Sequence, residues 1–102
     1  MPALSLKSLQ KVTVTAGTEL ALSATKVLAK GLIIKALPAN TDEVYVGAAG
    51  VSATSGFVLE AGEQIDYAQV LGLSPDDTID LSKIYVDSAV DAEGISAVYL
   101  SL

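Results

Sequence analysis

Leu32-Ile33-Ile34-Lys35-Ala36-Leu37, closed by Pro38-Ala39-Asn40-Thr41, decides the fold class. The run is short, rich in β-branched residues and stopped by a proline turn, which favours a central strand over a helix. Downstream, Val44-Tyr45-Val46 is a second strand ended by Gly47, and residues 47–56 form a loop of small residues. Phe57-Val58-Leu59 follows, then a turn over Glu60-Ala61-Gly62-Glu63, then alternation over Gln64-Ile65-Asp66-Tyr67. Ile84-Tyr85-Val86-Asp87 and Ile95-Ser96-Ala97-Val98-Tyr99-Leu100 complete the C-terminal half, with an acidic turn over residues 88–94 between them. Upstream, Val12, Val14 and Ala16 alternate with Thr13 and Thr15, the period of a half-buried strand. Gly17-Thr18 reads as a turn, and Glu19-Leu20-Ala21-Leu22 and Lys26-Val27-Leu28 as short strands.

The outcome is about eight short strands with turn residues between them and no sustained helical period. Such spacing predicts an all-β fold, an antiparallel β-sandwich of jelly-roll-like type. One short helical turn is expected near residues 68–78, where Ser74-Pro75-Asp76-Asp77 carries a turn signature. Residues 1–10 read as an N-terminal arm or edge strand, and residues 11–102 as a single sandwich domain.

The composition removes whole classes of chemistry. The 102 residues include no His, Cys, Trp or Arg, and six lysines stand against twelve carboxylates for a formal charge of −6. The usual general acid–base residue and the thiolate nucleophile are missing, and no Gly-x-Ser-x-Gly elbow is present. We therefore expect no enzyme and no cofactor. Nucleic acid and anionic membranes both require a positive surface, so neither is expected as a partner. Met1-Pro2-Ala3-Leu4-Ser5-Leu6-Lys7 has no basic region followed by a long apolar run, so no secretory signal peptide is expected.

The remaining clusters have plain readings. Asp76/Asp77 and Glu60/Glu63 are read as solvated turn residues rather than a catalytic pair. Gly47, Gly50 and Gly56 lack the lysine and the following helix that a phosphate cradle needs. Asp87, Asp91 and Glu93 do not fall on the alternation of a calcium loop, because Ala89 and Ala92 take its third and sixth positions. With Val44/Val46 and Ile84/Val86 facing a core, Tyr45 and Tyr85 fall on the outer face, where a tyrosine suits a protein contact. Those two, with Leu4, Leu6 and Leu9 of the N-terminal segment, are the candidate protein-interface residues.

The string Ala36-Leu37-Pro38-Ala39-Asn40-Thr41, Val44-Tyr45-Val46-Gly47, Gly50-Val51-Ser52, Gly56-Phe57, Gly62-Glu63 and Asp80-Leu81-Ser82-Lys83-Ile84-Tyr85-Val86 resembles a group of small all-β virion proteins of tailed bacteriophages. The likeness covers about residues 32–87, with residues 69–78 as an insertion. It implies a capsid decoration or cement protein on the outside of the virion, with the major capsid protein and further copies of itself as partners, in trimers. A head–tail connector, tail or fibre-base part is the alternative. A carbohydrate-binding attachment module comes after it, poorly served by a chain without tryptophan.

Overall fold

Leu32, Ile34 and Ala36 point to one side of a nine-residue strand and are almost completely buried. The computed structural model describes residues 4–13, 15–74 and 77–101. In chain order the strands are β1 (Ser5–Thr13), β2 (Leu20–Ala21), β3 (Leu28–Ala36), β4 (Val44–Gly47), β5 (Phe57–Leu59), β6 (Gln64–Asp66), β7 (Ile79–Asp80), β8 (Tyr85–Ser88) and β9 (Glu93–Ser101). A single helical turn, α1 (Tyr67–Leu71), follows β6, and a 3₁₀ turn over Leu81–Lys83 precedes β8. The fold is all-β, with two sheets of antiparallel strands. One has the order β1-β9-β3-β6 with β7 pairing the start of β3, and the other has the order β2-β8-β4-β5.

The apolar run is central as expected: β3 pairs β9 on one side and β6 on the other. Side chains of both sheets enter one hydrophobic cluster. Leu32, Ile34, Ile95 and Ala97 come from the first sheet, Val44, Val46, Leu59 and Val86 from the second, and Leu22, Leu81 and Ile84 from the connections. Each large member removed from water contributes about 1.5–3 kcal/mol.

The strands differ from the expected set in length and number. Among the described residues there are nine, and β1, β3 and β9 are nine residues each rather than short. Lys26-Val27-Leu28 is not a strand of its own. Leu28 begins β3, which passes through a bulge between Lys30 and Leu32. Gly31 takes φ +70° there, so the chain absorbs an extra residue and keeps pairing with β9. The alternation read over residues 12–16 belongs to a strand that begins earlier, at Ser5, and runs to Thr13 without a break at residue 10. Thr15 to Gly17 then turn, while Val14 lies outside the described residues. Tyr67 starts α1 instead of extending β6, because the Asp66 carboxylate accepts the Gln69 N–H and opens a helical turn. Pro75 and Asp76 of the expected insertion lie outside the described residues.

One end of the fold is tied by carboxylates. Glu93 reaches across the sheet to the turn after β3, accepting the Thr41 N–H at 2.7 Å, the Thr41 hydroxyl at 2.8 Å and the Asp42 N–H at 3.2 Å. Asn40 donates from Nδ2 to the Gly94 carbonyl at 2.8 Å and accepts the Gly94 N–H. Asp91 accepts the Ala16 N–H and Asp87 the Gly17 N–H, holding the β1–β2 turn. The buried hydroxyls of Thr13 and Ser88 bond to each other, and Thr13 also donates to the Glu93 carbonyl. Loop N–H groups that would otherwise be orphaned are thus satisfied by acids far away in sequence.

Candidate functional site

The cross-strand register of the first sheet gives two kinds of row. Leu9, Ala97, Ile34 and Ile65 form an inner row that enters the core. The neighbouring rows point away from it: Leu6, Leu100 and Lys30 in one, then Ser8, Val98, Ile33 and Asp66, then Gln10, Ser96, Lys35 and Gln64. Outward rows of a half-buried sheet are normally polar. Here Leu6 is 71% exposed, Ile33 and Val98 are each 41% exposed and Leu100 is 37% exposed, and all four lie in adjacent rows.

These side chains line a groove of about 270 Å³ over the bulge, with the Lys30 stem and Asp66 at its rim. Gly31 has no atom within 4 Å of where a Cβ would sit, so the floor there is open. A second hollow of about 230 Å³ adjoins it, lined by Leu4, Leu28, Lys30, Thr78 and Ser101. Both lie toward the end of the molecule where β1 starts and β9 finishes, away from the carboxylate-tied turns. An apolar surface of this kind marks a contact site more often than single scattered leucines do.

The expected interface residues separate into two groups. Leu4 and Leu6 lie on this surface and are exposed. Leu9, of the opposite phase, is half-buried and packs against the core. Tyr45 and Tyr85 belong to the other sheet, on its outer face: Val44, Val46 and Val86 of β4 and β8 are buried while both tyrosines are half-buried. Tyr45 pairs with Asp87 and Val58, Tyr85 with Gly47 and Ala21. The Tyr45 hydroxyl donates to Glu43 at 3.1 Å, and burial, then the Glu43 carboxylate, raises its pKa above the ordinary phenol value. The two tyrosines therefore do not join Leu4 and Leu6 in one surface.

Ile33, Val98 and Leu100 were missed by sequence reasoning, yet a signal exists. Leu32-Ile33-Ile34 and Ala97-Val98-Tyr99-Leu100 are apolar in both strand phases, so each strand needs cover on both faces. The lysines were missed as well. Lys7, Lys11, Lys30 and Lys35, four of the six, lie on β1 and β3, whereas ten of the twelve acids lie outside β1, β3, β6 and β9. The net charge of −6 conceals a sheet whose own balance is positive.

Among the described residues no three Asp or Glu side chains converge as metal ligands. Asp91 of the turn between β8 and β9, and Asp87 and Glu93 on the strands that flank it, are engaged by backbone N–H groups. Asp80 is held below the usual carboxylate range by the hydroxyl and N–H of Ser82, where it caps the 3₁₀ turn. No helix among the described residues is long and apolar enough to cross a membrane. No protein-family model, curated protein or solved structure matches the chain.

Proposed function

We propose that the chain is a bacteriophage virion structural protein, a capsid decoration or cement protein that binds the outer surface of the major capsid shell and stabilises it as a homo-oligomer, with a trimer as the expected state. In this reading the two sheets form a β-sandwich of jelly-roll-like type around their shared core. The observation that carries the reading is the exposed apolar surface built by Leu6, Ile33, Val98 and Leu100 on a sheet that otherwise needs no second cover. A small domain that presents such a surface beside an open strand edge is suited to seating against another protein. The resemblance of residues 32–87 to small virion proteins of tailed phages supplies the particle.

Co-sedimentation of the purified protein with shells of the encoding phage, with light scattering of the free protein, tests this. Pelleting with the shells, and an oligomer in free solution, are expected. A strict monomer that stays in the supernatant overturns it. Copy number per virion separates a shell decorator from a connector, tail or fibre-base part, since the decorator is present in hundreds of copies.

A further inference from the structure

We propose that β1 accepts an added strand from a partner protein, and that this strand carries two acidic residues four positions apart, set opposite Lys7 and Lys11, with apolar residues in the alternate phase. The proposal rests on the docking role of this sheet but not on the identity of the particle.

β1 is the terminal strand of its sheet. Over Ser5 to Thr13 it pairs with β9 alone, so along its other side the ladder is open among the described residues. An open edge of nine residues without proline is long enough to take a partner strand. Its two phases have different demands. Leu6 stands in the outer row, and an added strand would extend that row beyond Leu6, on the side away from Leu100 and the groove over Gly31. Lys7 and Lys11 stand in the other phase, four residues apart, with no acid anywhere in β1. Directly opposed opposite charges stabilise a strand pair, and opposed like charges destabilise it.

A second copy of β1 is the obvious rival occupant, and the lysines oppose it. Antiparallel self-pairing about a two-fold axis must keep each residue on its own face. Centring the pair on Leu9 sets Lys7 opposite Lys11. Centring it on Lys7 or on Lys11 sets that lysine against itself. Centring it on Ser8 or on Gln10 places a lysine diagonal to both lysines of the copy. Every extensive register therefore brings like charges together, whereas an acidic strand converts the same positions into attraction.

The test is an unbiased selection. A library of random twelve-residue strands, displayed on a carrier, is panned against the full chain and counter-selected against the charge-reversed variant K7E/K11E. Enrichment of strands with acids four positions apart and alternating apolar residues is expected. A representative synthetic peptide should protect the β1 amides from hydrogen exchange, and its affinity should fall at least tenfold in K7E/K11E and with added salt. The neutral variant K7S/K11S, of unchanged melting temperature, should fall between the two. Enrichment of basic or neutral strands, enrichment of nothing, or protection confined to residues outside β1 overturns the proposal. So does protection of the β1 amides from hydrogen exchange by self-association of the wild-type chain, which would give the edge to a second copy. Failure here with shell binding intact leaves the virion role standing, and loss of both removes the docking role of the sheet itself.

Discussion

The Glu93 carboxylate accepts the backbone N–H of Thr41 at 2.7 Å and its hydroxyl at 2.8 Å, joining the first residue of β9 to the turn after β3. Fifty-two residues separate the two in sequence. The Thr41 N–H, then its hydroxyl and the Asp42 N–H, hold the Glu93 carboxyl below the usual range. A carboxylate whose pKa is lower in the folded state stabilises the fold fully above its unfolded pKa, about 4.3 for glutamate, and loses that contribution as pH falls through the folded pKa. Asp80 acts in the same direction through Ser82. Melting temperature should therefore hold through neutral pH and fall in the acid range. The variant E93Q should melt lower than wild type at pH 7 and show a flatter acid limb, with the two curves approaching each other at the lowest pH. Thermal melts followed by circular dichroism at stepped pH read this directly, and a parallel offset at all pH values would contradict it.

Gly94 and Gly31 separate two uses of glycine. A Cβ added at Gly94 would fall onto the Lys11 carbonyl oxygen and within 2.8 Å of the Val12 Cα, both backbone atoms of the paired strand. Overpacking against backbone that cannot turn aside costs about 3 kcal/mol, so G94A should weaken the β1–β9 pairing severely. At Gly31 nothing lies within 4 Å, and only the φ of +70° penalises a side chain, at about 1 kcal/mol. Urea titrations should rank G94A as much the more destabilised. Hydrogen exchange should show the G94A loss concentrated in β1.

How far this arrangement was legible in the sequence depends on the range of the contacts. Val44-Tyr45-Val46 and Ile84-Tyr85-Val86 could be read from alternation, because a strand with one buried face writes its period locally; both are strands or strand borders with the valines buried. The centrality of residues 32–37 was legible from their apolar density. The union of Leu28 with that run was not, since a bulge looks like a break until the partner strand is known. Pairing of β1 with β9 joins the two ends of the chain and leaves no local mark. The acids of residues 87–93 read as a hydrated turn because acids usually are; their bonds to Ala16, Gly17 and Thr41 arise only when distant loops meet. The exposed apolar surface was half legible: Leu4 and Leu6 were named from the N-terminal segment, while Ile33, Val98 and Leu100 needed the register.

The hydroxyl pair at Thr13 and Ser88 should couple energetically. Thr13 and Ser88 bond to each other, which uses one of their two hydroxyl protons, and the other proton serves the Glu93 carbonyl beside Thr13 or the Val90 carbonyl beside Ser88, at the junction of β1, β8 and β9. T13V keeps the shape but leaves buried partners unsatisfied, at about 1–3 kcal/mol. S88A alone should cost a similar amount. The double variant T13V/S88A should cost less than the sum, because the second substitution removes a group the first has already orphaned. Chemical denaturation of the four proteins closes the cycle, and strict additivity would show that the two hydroxyls act independently.

Ile33 and Ile34 are adjacent in β3 and should behave as opposites. Ile34 is fully buried between the two sheets, whereas Ile33 is 41% exposed in the outer row beside Val98. I34A should destabilise by about 2–5 kcal/mol through lost burial and the cavity left behind. I33S removes only a surface contact and should change stability by no more than about 0.5 kcal/mol. Binding should reverse the order. With Ile33 in the docking surface, I33S should lose affinity for shells while melting like wild type, and I34A, assayed well below its melting temperature, should retain it. Co-sedimentation and melting curves on the same preparations decide the matter. An I33S protein that binds as wild type moves the docking surface elsewhere, with the Tyr45 and Tyr85 face of the second sheet as the next place to substitute.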